Sequence, residues 1–409
     1  VTGQHELPPS LARVLRANSC SGCGLCAGVS PGIAMARDAK GWWRPRAVGP
    51  VPAETDALLA RACPGATVAP WEPSASASVH PYWGPIRDCL TGYATDPELR
   101  FAASSGGALS ALALHALATG LVTRVLHVGM DPDAPLLTAI RRSTGRDDVL
   151  AAAGSRYAPA APLAELMTEL ERPGPILFIG KPCDVGALRQ LMAADPSIAA
   201  RFPLLLSFFC AATPSQTGTD RIIAKLGLTT DDVASFRYRG NGWPGRAEAV
   251  TKDGRRASMS YPDSWGAILS KEVQWRCKIC PDAVGGVADI AAADAWHADE
   301  AGYPLLEEAE GRSLILTRTA AGAAALTRAV ADGVLAVTPI KVTEIDSMQP
   351  SQARRKRLVA SRVAAMALAG LPRPRMAGLA VMRAARRAGV VETLRSLAGS
   401  WLRIRQGRW

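Results

Sequence analysis

Apolar residues in this chain recur in two distinct ways. Short unbroken runs, Pro175-Ile-Leu-Phe-Ile179 and Leu204-Leu-Leu-Ser-Phe-Phe209, are closed off by turn residues and read as buried strands. A helical pattern follows each, one through Leu188 and Leu191 and one from about Gln216. Successive strand–loop–helix units predict parallel neighbours in an α/β sheet. Ala108–Ala118 places Leu109, Leu112 and Leu117 roughly on one face and stops at Gly120, so it reads as a helix. Ala288–His297 reads as a further buried strand with Asp289 and Asp294 near its ends. His115 falls in the apolar helix and His127 in a strand, positions that suit structural rather than catalytic roles.

The first 80 residues differ. They are loop-rich, with a turn and strand at Asp38–Pro45, a helix over Thr55–Cys63 and a Pro-, Ser- and Ala-rich run at Ala69–Ser78 that reads as a linker. The α/β pattern starts near Tyr82. The expected layout is an N-terminal module over 1–80, an α/β body over 81–345 and a helical tail over 346–409. Overall the fold class is mixed α/β (α+β).

Composition narrows this. With 48% hydrophobic residues the chain can bury a large core, yet no run of 18 apolar residues predicts a membrane span. Nine cysteines and no secretion signal point to a reducing compartment, so cytoplasmic location and metal ligation are expected rather than disulfides. Residues 351–409 hold 14 of the 47 Lys and Arg and one of the 36 acids, giving a +13 tail on a −2 body. A near-neutral body argues against nucleic acid as a partner. In the tail, Val390, Leu394, Leu397, Trp401 and Ile404 form one helical stripe, with Arg395 and Arg403 opposite and Arg405 on its flank. Such a helix can dock on its own body, make peripheral membrane contact, or meet an acidic partner.

The cysteines carry the chemistry. Cys20, Cys23 and Cys26 stand at C-x2-C-x2-C spacing with glycines between them, and Cys63-Pro64 follows 37 positions later. That is the ligation pattern of a [4Fe–4S] cluster, with a structural zinc site as the alternative. Cys183 and Cys210 each follow a predicted strand, at the carboxyl end where open α/β sheets bind ligands. Cys277 and Cys280-Pro281 complete a second set of four, leaving Cys89 as a small buried hydrophobe. Ser104-Ser105-Gly106-Gly107 opens a helix and reads either as a phosphate cradle or as a plain N-cap. Phe236–Gly245, with Arg239, Asn241, Gly242 and Trp243, is an aromatic, cationic loop that can cover a flat ring or simply turn a hairpin. No Ser–His–Asp or paired-carboxylate arrangement stands out, which argues against hydrolysis.

Taken in order, these motifs, with Gly-Lys-Pro-Cys-Asp at 180–184, Phe-Cys-x3-Pro-Ser at 209–215 and Asp-Ala-Trp at 294–296, resemble the coenzyme F420 hydrogenase/dehydrogenase beta-subunit family over about residues 15–340. The resemblance implies FAD and two [4Fe–4S] clusters. It implies a ferredoxin-like iron–sulfur module ahead of a larger flavin-binding domain, with Ser104, Ser105, Gly106, Gly107, Lys181, Arg239, Asn241, Gly242 and Trp243 around FAD. The leading expectation is an oxidoreductase that passes electrons from ferredoxin, or a similar donor, through the clusters to FAD and on to a small organic substrate. The alternative is an electron-transfer subunit that reduces or oxidises coenzyme F420 inside a larger hydrogenase or dehydrogenase complex. No catalytic side chain and no oligomeric state is predicted.

Overall fold

A computed structural model describes residues 5–71, 78–297, 299 and 305–409. Its centre is an eight-stranded mixed sheet. In chain order the strands are β1 (Asp88–Ala94), β2 (Arg124–Met130), β3 (Thr138–Ser143), β4 (Ile176–Gly180), β5 (Leu204–Phe208), β6 (Ile290–Asp294), β7 (Ser313–Thr317) and β8 (Leu335–Pro339). Across the sheet they run β8-β1-β7-β6-β5-β4-β2-β3. The middle four, β6, β5, β4 and β2, are parallel, and the flanking pairs are antiparallel.

The unbroken apolar runs of β4 and β5 follow from burial on both faces. In β4, Ile176 and Phe178 point into one core and Leu177 into the other; in β5, Leu205 points into the first and Leu204 and Leu206 into the second. The helix Pro182–Ala194 covers the first face and the helix Ala108–Ala118 the second. Each fully buried leucine here contributes about 1.5–3 kcal/mol of transfer free energy. The β4–helix–β5 unit is the predicted parallel pair, with Leu177 opposite Leu204.

The N-terminal segment holds the helix Pro9–Arg16, the hairpin Ile33–Arg37/Trp43–Ala47 and the helix Ala53–Ala62. It is packed onto the sheet's helical layer: Cys23, Leu25 and Ala62 share a core with Val185 and Leu188. Gln190 Nε2 also donates to the carbonyls of Ala62 and Thr67, both at 3.1 Å. Most of the predicted linker, residues 72–77, lies outside the described residues.

The crossover from β5 to β6 is long. It contains a three-stranded antiparallel sheet, Val233–Arg237, Ala247–Thr251 and Arg256–Met259, and then the short helix Trp275–Lys278 between Cys210 and Cys280.

The tail docks on the body. Its helices are Pro350–Arg357, Val359–Leu368, Val381–Ala385 and Val390–Arg405. Ala365, Met366 and Ile404 form a core with Ala17, Trp275 and Ile279. The last helix meets Val359–Leu368 through small residues, and Ser361 Oγ donates to Ser396 Oγ at 3.0 Å. The predicted stripe is therefore split: Leu397 and Ile404 turn inward, whereas Val390, Leu394 and Trp401 face outward.

Candidate functional site

The first cysteine set is built by a tight loop. Gly22 and Gly24 have φ of +76° and +86°, and a Cβ on Gly24 would lie 2.7 Å from the amide nitrogen of Ala164. Only glycine suits both positions. The loop thereby presents Cys20, Cys23 and Cys26, while Cys63 ends the helix Ala53–Ala62. All four thiols are buried. Burial first, and then the neighbouring cysteines, pushes the Cys23 and Cys26 thiols well above the ordinary range, and that of Cys63 up to about 11. Buried thiols that resist ionising, as those of Cys23, Cys26 and Cys63 do, suit a centre whose own positive charge draws them into the thiolate form.

The four cysteines of the second set come together beyond the carboxyl ends of β4 and β5. Cys183 sits in the first turn of the helix after β4, and Cys210 stands two residues past the end of β5. Cys183, Cys210, Cys277 and Cys280 line one small cavity, together with Thr213, Gln274, Arg276 and Arg355. The Thr213 amide donates to Cys277 Sγ at 3.3 Å, the kind of bond that lowers charge on a ligating sulfur. Burial pushes the Cys183 thiol up, and that of Cys210 to about 12. Among the described residues, no three His, Cys, Asp or Glu side chains converge tightly enough for a single metal ion.

Cations gather around this cavity, some buried and some half-buried. Arg355 Nη1 and Gln352 Nε2, both from the tail, donate to the Cys210 carbonyl at 2.9 and 3.1 Å. Lys356 Nζ donates to the carbonyls of Pro281 and Leu379. Lys181 Nζ pairs with Asp184 at 2.7 Å; burial alone would depress the ammonium, but the Asp184 charge outweighs it and holds the group above its usual range. The structure thus puts Lys181 beside Cys183, with the second cysteine set.

The two sets share a wall. Ser21, between Cys20 and Cys23, also lines the second cavity. Gln274 Nε2 donates to the Ser21 carbonyl at 3.3 Å, and the Gln274 side-chain oxygen accepts from Arg44 Nη1 at 3.2 Å.

A larger cavity, about 630 Å³, lies at the carboxyl end of β6. Asn241, Gly242 and Trp243 line it, as do Tyr93, Arg100, Phe101, Arg246 and Tyr261. The loop at 238–245 both closes the hairpin Val233–Arg237/Ala247–Thr251 and forms this wall, so its two readings are compatible. Asp294, the last residue of β6, fixes it. The carboxylate accepts both Nη atoms of Arg239 at 2.9 Å and Trp243 Nε1 at 2.9 Å. Trp243 stacks on Trp296 with centroids 4.6 Å apart, and Tyr261 stacks on the same ring. Arg239 is buried behind the wall, over Tyr261 at 4.6 Å, and also donates to the carbonyls of Pro244 and Ser104.

Ser104–Gly107 lies behind this wall rather than on the lining. The Gly106 amide donates to Ser313 Oγ at 3.0 Å, and a Cβ there would lie 2.6 Å from the Gly92 carbonyl oxygen. The turn's glycine serves close packing of helix on sheet. Tyr93, Arg100, Phe101, Tyr261 and Asp294 escaped the sequence reading as site residues because they come from separate segments with no shared spacing. Arg276 and Arg355 escaped it for the same reason.

Comparison with known proteins agrees with this architecture. Residues 89–168 match the family described as the N-terminal part of the coenzyme F420 hydrogenase/dehydrogenase beta subunit, and residues 174–343 match the family described as its carboxyl terminus. The coenzyme F420 hydrogenase subunit beta of Methanococcus voltae is 26% identical over 276 residues, 66% of this chain and 88% of that protein. The protein of the same name from Methanothermobacter thermautotrophicus is 23% identical over 300 residues, 71% of this chain and 99% of its own length. A chain of the F420-reducing [NiFe] hydrogenase complex from Methanosarcina barkeri superposes with a TM-score of 0.54 at 22% identity, covering 70% of this chain and 96% of that one. The first cysteine set and the tail fall outside the residues the two family models match.

Proposed function

Because the chain belongs to the coenzyme F420 hydrogenase/dehydrogenase beta-subunit family, we propose that it is an electron-transferring oxidoreductase built as a relay. Its stations are the set Cys20, Cys23, Cys26 and Cys63, the set Cys183, Cys210, Cys277 and Cys280, and the aromatic cavity around Trp243 and Tyr261. The observation that carries this reading is the meeting of all four cysteines of the second set in one cavity, which shares the Ser21–Gln274 wall with the first set.

Each set suits a [4Fe–4S] cluster, and the cavity suits the flat ring of FAD or of a deazaflavin such as F420. When bound, clusters supply one-electron steps and a flavin couples them to two-electron chemistry. The chain's own residues hold and insulate. Gly22 and Gly24 shape the first loop, and the Thr213 amide lowers charge on Cys277. Arg276, Lys181 and Arg355 offset the thiolate charge of the second set. Trp243 and Tyr261 offer faces to a ring, held in place by Asp294, while Arg100 and Arg246 offer cations to an anionic portion.

The similar proteins bear the name of a hydrogenase beta subunit. An electron-transfer role acting on coenzyme F420 is therefore better supported than a ferredoxin-fed reductase of a separate organic substrate. Anaerobic purification with iron, sulfide, zinc and flavin analysis tests the relay. About eight iron atoms per chain, with flavin, are expected. Zinc without iron would replace the relay with a structural metal protein. Reduction of the loaded protein by reduced F420, against reduced ferredoxin, then decides the partner.

A further inference from the structure

We propose that the outward face of the last helix, Val390–Arg405, rests on an anionic lipid surface. The helix packs one face on the body, with Ser400 and Ile404 buried against it. The opposite face is apolar and open. Val390 is 75% exposed, Leu394 60% and Val391 61%, with Leu402 and Trp401 also exposed. At 100° per residue, Val390, Trp401, Leu394, Val391 and Leu402 fall within one sector of about 120°. Arg405 lies inside that sector and Arg395 at its edge.

A solvated helix face has no reason to carry five large apolar side chains. Its charge chooses the occupant. Over residues 351–409 the only acid is Glu392, and that carboxylate already pairs with Arg354. Exposed Arg383, Arg386, Arg395, Arg405 and Arg408 leave the region strongly cationic, complementary to anionic headgroups. The surface is a convex helix and not a groove, so it offers no pocket for a protein side chain. A bilayer accepts such a helix lying in its interface plane, with the apolar side in the acyl boundary and arginines among the headgroups. No helix among the described residues is long and apolar enough to cross a membrane, so the contact is peripheral. Trp401 adds an aromatic of the kind that favours this depth.

The full chain is mixed with sedimentable vesicles of phosphatidylcholine alone, or of phosphatidylcholine with phosphatidylglycerol. It should pellet with the anionic vesicles and stay in solution with the neutral ones, and added salt should weaken the binding. Leu394→Glu with Trp401→Glu should abolish pelleting, and Arg395→Glu with Arg405→Glu should weaken affinity by about tenfold or more. These positions are exposed, so unfolding temperature should not change, and Lys225→Glu elsewhere on the surface should leave binding intact. Failure to bind anionic vesicles overturns the proposal, as does equal binding to both kinds or binding that survives Leu394→Glu with Trp401→Glu. A chain that ignores vesicles but holds polyglutamate through Leu394 would make the face a protein dock, which also overturns it.

Discussion

Arg276 Nη2 donates to the carbonyl oxygen of Pro64 at 3.1 Å, and this bond ties the segment carrying Cys277 and Cys280 to the residue after Cys63. The rest of the guanidinium is buried, with Nε lacking a hydrogen-bond partner among the described residues. Burial works against its charge, but Cys280, Cys183 and Cys277 outweigh that cost. One cation thus faces the second set while gripping the first.

Replacing it should destabilise the protein strongly. Arg276→Met leaves the Pro64 carbonyl unpaired and removes a buried cation that faces Cys280, Cys183 and Cys277, for a loss on the order of 3 kcal/mol. Arg276→Lys keeps the charge but not the fork, and should recover only part of this. Denaturant midpoints and iron per chain measure both effects. Wild-type values for Arg276→Met would show that the two sets are joined by other contacts.

Cys89 provides the contrast. It lies in β1, half-buried, and burial pushes its thiol up to about 11. Cys89→Ala should leave iron content unchanged, whereas Cys23→Ser and Cys210→Ser should each remove about half of it. At neutral pH the Cys89 thiol should alkylate slowly. Iron lost from Cys89→Ala would assign the ninth cysteine to a site.

Asp294→Asn should damage the aromatic cavity. The substitution strips the buried Arg239 of its bidentate partner, a change that costs about 3–5 kcal/mol. Trp243 loses full charge on its acceptor at the same time. Unfolding should come earlier and flavin occupancy should fall, while iron at the first set survives. Normal flavin content in a stable Asp294→Asn protein would move the ring site elsewhere.

His127 sets a pH dependence. It is buried in β2, its Nε2 2.7 Å from Ser143 Oγ, and burial, then Arg141, lowers it from 6.5 to about 4. Folding therefore requires the neutral ring, because the unfolded chain takes up the proton first. Its contribution is complete above pH 6.5 and fades as pH falls toward 4, by at most a few kcal/mol. The buried carboxylate Glu169, held below its ordinary value by Arg142 and Arg124 against the cost of burial, loses its contribution only below about pH 4.5. Denaturant midpoints between pH 7 and 5 should fall for the wild type and stay flatter for His127→Gln.

Removing residues 351–409 should unfold or precipitate the body. Leu358, Val359, Ala365 and Met366 are buried, and Lys356 reaches two buried carbonyls. A soluble truncated protein with full iron content would make this packing dispensable.

How much of this could be read in the residues varies by element. The grouping of Cys183, Cys210, Cys277 and Cys280 in one cavity was legible in part, because a C-x2-C pair before a proline is a local signal and Cys183 and Cys210 stand just past apolar runs that only a doubly covered strand can tolerate. Ser104–Gly107 was open to two readings, since a phosphate cradle and a packed N-cap share one local pattern, and its bond to the distant Ser313 leaves no trace in that pattern. Lys181 is expected at a flavin, and the partner its side chain meets in the fold, Asp184, lies only three residues on. The cavity wall was hidden for a different reason: Tyr93, Phe101 and Tyr261 meet only through the sheet order. The last helix carries apolar residues on two faces, so a single stripe drawn through Val390 and Ile404 joined positions that the fold separates.

The tail donors make the second cavity depend on distant parts of the chain. A ribosome releases the first cysteine set, through Cys63, long before the tail, along with the loop and hairpin that enclose it. The Cys210 carbonyl waits for Gln352 and Arg355, that of Pro281 for Lys356, and that of Lys278 for Arg362. Asn18 Nδ2, just before the first set, donates to the carbonyl of Trp409 at 2.8 Å. Both nests of thiols are thus finished by residues far along the chain, the first by Leu163, Val185 and Arg276, and the second by four side chains of the tail.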